Sequence, residues 1–136
     1  MKKFLFIFHL GLGTSFANST KTDSLLQALQ TATHDTTRIK ILNTLAWEFR
    51  NNKPDTAILL SKQVLDLCKE KYSLESGVLG EVEGRDVFYA RAAAESHINL
   101  GVFNYLKGSY PIALGHYNKA LKIREQLRIK KVLPLL

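Results

Sequence analysis

A single cysteine, a single methionine and only three prolines occur in 136 residues, and the twelve acidic side chains are outnumbered by nineteen basic ones. Each scarcity excludes something. Cys68 alone cannot form an internal disulfide or supply a cysteine-rich zinc cluster. It lies in the apolar run Val64-Leu65-Asp66-Leu67-Cys68, where an inert buried thiol is expected ahead of a reactive or intermolecular one. Sparse proline and eight glycines, beside 46% apolar and 23% charged residues, rule out collagen-like, low-complexity and bulk-disordered chains. No segment of strand length alternates apolar with polar residues, which argues against a sheet. After the N-terminal run nothing approaches the ~20 consecutive apolar residues of a membrane span. The length suits one domain with a modest core.

The front of the chain reads as an address. Met1-Lys2-Lys3 is positive, Phe4 to Leu12 is apolar, and Gly13-Thr14-Ser15-Phe16-Ala17 is rich in small residues. Ser15 and Ala17 stand three and one positions before an expected cut between Ala17 and Asn18. Residues 1–17 are therefore expected to be a signal peptide; the other reading is a buried N-terminal helix. Its removal takes away Lys2 and Lys3 and no acid, lowering the formal charge from +7 to +5. The processed chain is expected to be exported, periplasmic or secreted, with no membrane anchor.

From Thr22 onward apolar residues recur at the three- and four-residue steps of a helix. Residues 18–34 read as a linker and a short capping helix, with Thr22 or Asp23 as its cap and Leu25, Leu26 and Leu29 on its apolar side. Asp35-Thr36-Thr37 should cap a second helix carrying Ile39, Leu42, Leu45, Ala46 and Phe49. Asn51-Asn52-Lys53 breaks it, and Pro54 suits the first turn of a third helix reaching about Lys71. Residues 72–85 read as a loop containing Gly77, Gly80 and Gly84. They make no phosphate cradle, because no Lys-Ser or Lys-Thr follows and no strand precedes. Helix resumes near Asp86 and runs to about Lys107. Gly108-Ser109-Tyr110-Pro111 turns the chain, and a last helix reaches about Arg128, leaving 129–136 as a basic, then apolar tail. The fold class is all-α.

Within residues 86–128, Leu100-Gly101, then Gly108 and Tyr110, then Ala113, Tyr117 and Ala120 stand at the spacings of a tetratricopeptide repeat (TPR), which this stretch resembles. The resemblance implies that Gly101 and Ala113 are small because two helices cross there, that Tyr117 fills the space beside them, and that Ala120 admits a neighbour. A looser copy spans 35–71: Leu45 and Ala46 match the Leu-Gly pair, and Ala57, with Ser61 and Val64, the second helix. Its turn is one residue short, and Asn104 stands where an aromatic is usual. The copies lie 55 residues apart (Leu45 to Leu100), where the repeat normally recurs at about 34. The implied architecture is a short TPR-like α-solenoid of antiparallel helix hairpins.

Such stacks hold a protein or peptide in a groove lined by first-helix residues. The matching positions are Lys40, Asn43, Trp47 and Arg50 in the first copy and Glu95, Asn99, Val102 and Tyr105 in the second, with Trp47 and Tyr105 as the anchors. The export signal followed by Asp23-Ser24-Leu25-Leu26 and loose repeats also resembles the sensor portions of bacterial signalling proteins; with two repeats and no polar capping helix after them, the chain is expected to be either a truncated copy of a longer protein or one that needs a partner at its C-terminal end. An alternative of another class is binding of nucleic acid or anionic membrane through the basic last helix, with Lys119, Lys122, Arg124, Arg128, Lys130 and Lys131. The export signal and the lack of a reader motif weigh against nucleic acid. Catalysis is not expected. His34, His97 and His116 lack His-x-x-x-His spacing, Ser15 and Ser96 lack a Gly-x-Ser-x-Gly elbow, and Glu81 and Glu83 lie in the expected loop. Neither metal, cofactor nor small-molecule substrate is implied.

Overall fold

The computed structural model describes residues 20–69, 71 and 84–132. Among these there are five helices and no strand: α1 (Lys21–Thr31), α2 (Asp35–Phe49), α3 (Pro54–Lys69), α4 (Gly84–Leu106) and α5 (Tyr110–Val132). The expected signal peptide, its Ala17/Asn18 cut, most of the glycine-containing loop and the end of the tail lie outside the described residues.

The helix ends differ from expectation at several points. Thr20, not Thr22 or Asp23, caps α1: its hydroxyl accepts the Asp23 N–H at 3.2 Å while the Asp23 carboxylate accepts the Thr20 N–H at 3.1 Å. These reciprocal bonds satisfy two donors; the Thr20 hydroxyl, donating to Asp23 Oδ2 at 2.8 Å, and then the Thr20 N–H hold the Asp23 carboxyl below its usual range. Asp35-Thr36-Thr37 is already helical, and the cap position falls to His34 with no side-chain bond. Pro54 does open α3, whose last residue is Lys69 and not Lys71. The expected loop gives Gly84 and Arg85 to α4. Helix α5 continues past Arg128 through Val132, so half of the expected tail is helical. Nothing in Ile129-Lys130-Lys131-Val132 breaks a helix.

Each helix packs on the next in sequence, and α2 also reaches across to α4. The buried apolar residues form two clusters. One gathers Ile39, Leu42, Val64, Cys68, Tyr89, Ala90 and Ile123; the other, nearer the two hairpin turns, gathers Leu45, Ala46, Phe49, Ala57 and Phe103. Leu29 of α1 touches both and Leu25 the second, although α1 itself buries no residue fully. Between the clusters lies a polar layer with one residue from each of three helices. Ser96 of α4 reaches Asn43 Oδ1 of α2 at 3.1 Å and the Ser61 carbonyl of α3 at 3.0 Å. One hydroxyl proton cannot fully serve both acceptors; turning the Asn43 amide over would let it donate to Ser96 while Ser96 donates to Ser61.

The turn between α4 and α5 has a definite chemistry. Gly108 adopts φ +77°, its N–H bonds the Tyr105 carbonyl at 2.9 Å, and the Ser109 N–H bonds the Asn104 carbonyl at 2.8 Å. This is a Schellman closure, and its left-handed position is one that only glycine enters freely. Among the described residues no helix is long and apolar enough to cross a membrane.

Candidate functional site

The close approach of α4 to α5 fixes the geometry of the second hairpin. A Cβ placed on Gly101 would lie 2.6 Å from Cδ1 and 2.9 Å from Cζ of Tyr117, so the ring occupies the space that the missing side chain leaves. Ala113 and Ala120 are buried on the same side of α5. Leu100, Leu45, Ala46 and Ala57 are buried as well, whereas Tyr110 opens α5 with its ring exposed.

The eight candidate groove residues do not form one surface. Trp47 projects from α2, the residue 42% exposed. Its ring is held from two sides: the Phe103 ring lies 6.5 Å away, and the Arg50 guanidinium sits 4.5 Å from its centroid. Arg50 Nη1 also donates to the Trp47 carbonyl at 2.7 Å, which clamps the cation over the indole. Lys40 is exposed, with its Nζ 5.7 Å from the centroid of Phe88. Val102 is half-buried against the cluster containing Leu45 and Phe103. Asn43 and Asn99 are both buried, and the Asn43 amide belongs to the polar layer with Ser96. Both lie inside the stack, where α2 packs directly against α4. Glu95 is exposed beside the α4/α5 cleft, and Tyr105 stands at the hairpin end, edge-on to Tyr110 at 5.3 Å.

Sequence spacing missed one constellation. His97 on α4 and His116 on α5 meet with their Nδ1 atoms 3.1 Å apart, so one ring must carry the Nδ1–H and the other must accept it. Burial, with His116 and Lys119 adding repulsion, pushes His97 down to about 4 from an ordinary 6.5. His116 is also lowered, by burial first and then by Lys119 and Lys62. The signal for this pair was the turn: an antiparallel hairpin closing at Gly108 places residue 97 opposite residues near 117. Among the described residues, no group of three metal-ligating side chains comes together. Burial raises the Cys68 thiol to about 12, which leaves it protonated and unreactive at neutral pH.

No protein-family model, curated protein or solved structure matches this chain.

Proposed function

We propose that this chain is a non-catalytic interaction scaffold of the TPR type, acting outside the cytoplasm and holding a protein or peptide segment on the α2 side of its helix stack. The observation that carries the reading is Trp47. A large amphipathic ring is kept exposed yet fixed, with the tilted Phe103 ring beside it and the Arg50 guanidinium over it. Side chains of this kind dominate interface energies because little conformational entropy is lost when a partner closes over them. Arg50, on the ring itself, and Val102, next to Phe103 on α4, would set the chemistry of the bound segment, with Lys40 two turns away along α2. The seating of Tyr117 on Gly101, with Ala113 and Ala120 buried beside it, supports the repeat-like reading of the second hairpin. The order of packing, each helix on the next with α2 also on α4, is what two stacked hairpins require.

A photo-crosslinking residue at position 47 in the full chain, expressed in its own cells, tests the site. A discrete protein adduct from position 47, absent when the crosslinker sits at exposed Lys69 on α3, is the expected result. Equal labelling from both positions, or none from 47, would remove Trp47 from the site. Export is tested separately, by fusing residues 1–17 to a reporter that is active only outside the cytoplasm.

A further inference from the structure

A second surface, separate from the Trp47 site, is formed where, among the described residues, α4 and α5 have no further helix packed against them. Along α5, Tyr110, Leu114, Tyr117 and Leu121 recur at the spacing of a single helical stripe, and all four are exposed. Tyr105 of α4 continues the stripe through its contact with Tyr110. A line of five large apolar side chains is on the scale of the few hundred Å² at which exposed patches mark binding sites. Further along the same two helices the surface becomes basic and concave. Arg91, Ala94 and Glu95 of α4 and Arg124 and Leu127 of α5 line an open cleft of about 450 Å³. Arg128 follows one turn later, exposed. Among the described residues neither Arg91 nor Arg124 has an ion-pair partner, and Glu95 is the one acid on the cleft wall.

From this layout we infer that the α4/α5 face docks an acidic amphipathic helix from another protein, its apolar side on Tyr105, Leu114, Tyr117 and Leu121 and its carboxylates at Arg91 and Arg124. Charge selects this occupant. A second copy of the chain would bring the Glu95 carboxylate as the one acid of its own cleft, leaving Arg91, Arg124 and Arg128 short of counter-charges. A lipid surface would meet the cations but could not fill a cleft floored by Ala94 and Leu127. A helix with apolar residues at i, i+3, i+4 and i+7 and glutamates on its flanks matches both halves of the face.

The test uses the full chain and a fluorescent synthetic helix of that pattern, a twin with glutamine in place of every glutamate, and vesicles containing phosphatidylserine. The acidic helix should bind, the twin about tenfold or more weakly. The Arg91→Gln/Arg124→Gln variant should lose a similar factor for the acidic helix only. Leu114→Ser/Leu121→Ser should lose binding of both peptides while keeping the helical circular dichroism of the parent. Trp47→Ala should bind the peptide unchanged, so this face can stand or fall independently of the Trp47 site. Equal affinity for the two peptides, no effect of the arginine changes, or capture by vesicles without peptide binding would overturn the proposal. So would a dimer in light scattering that Leu114→Ser/Leu121→Ser dissolves.

Discussion

The two hairpins contain helices of similar apolar character but meet different surroundings. The α2/α3 hairpin is covered by α1 on one side and by α4 on the other, and its large exposed apolar residues are Trp47 and Leu59. Among the described residues the α4/α5 hairpin is covered on one side, and Tyr105, Leu106, Tyr110, Ile112, Leu114, Tyr117 and Leu121 are exposed. Place in the stack, more than composition, decides which apolar residues become core.

The largest effect is expected where the hairpins meet. Phe103 is fully buried against Leu45, Ala46, Phe49 and Ala57. Phe103→Ala should cost about 3–5 kcal/mol by urea unfolding; a loss below about 1 would mean the hairpins barely couple. Next comes acid. His97 titrates at about 4 in the folded chain and at an ordinary 6.5 when unfolded, so the unfolded chain takes the proton first. Stability should therefore hold above pH 6.5, fall by roughly 3 kcal/mol as the pH drops towards 4, and level off below that. Because His116 is lowered too, His97→Phe should make this slope shallower without abolishing it, in urea midpoints taken across the window.

Within the second hairpin, Ala113→Leu forces volume into a closed site and should cost about 1–3 kcal/mol. An unchanged melting temperature would mean that α4 and α5 are not in contact there. Gly101→Ala tests the same crossing more gently. Alone it must displace the Tyr117 ring and should destabilise, but in a Tyr117→Ala background the helix-propensity gain should stabilise by about 1 kcal/mol. The smallest effect belongs to the uncovered side. Leu114→Gln should change the melting temperature by no more than about 0.5 kcal/mol implies, because its side chain is already in water.

The helical period made the five helices legible in the sequence, and the small residues at 101, 113 and 120 pointed to a close crossing. Ends were harder to place. Thr20 capped a helix assigned to start two residues later, because Asp23 is equally plausible as cap or as the third helical residue that returns the bond. Spacing placed Asn43 and Asn99 on a first-helix face, but the approach of α2 to α4 turns that part of the face inward, and no local pattern records which neighbour will arrive. The histidine pair was hidden for the same reason: His97 and His116 are distant in sequence and become adjacent only once Gly108 sets the hairpin register.

The Ser96 hydroxyl gives the fold a shared lock. It touches an amide on α2 and a carbonyl on α3, and it is carried by α4, whose neighbouring Ala92, Ala93 and Ala94 offer little other resistance to sliding. Pulling the second hairpin away would strand the Asn43 amide inside the first, so neither hairpin can loosen alone without a buried polar penalty. The chain should consequently melt as one cooperative unit, with fluorescence from Trp47 and helical ellipticity lost along a common curve.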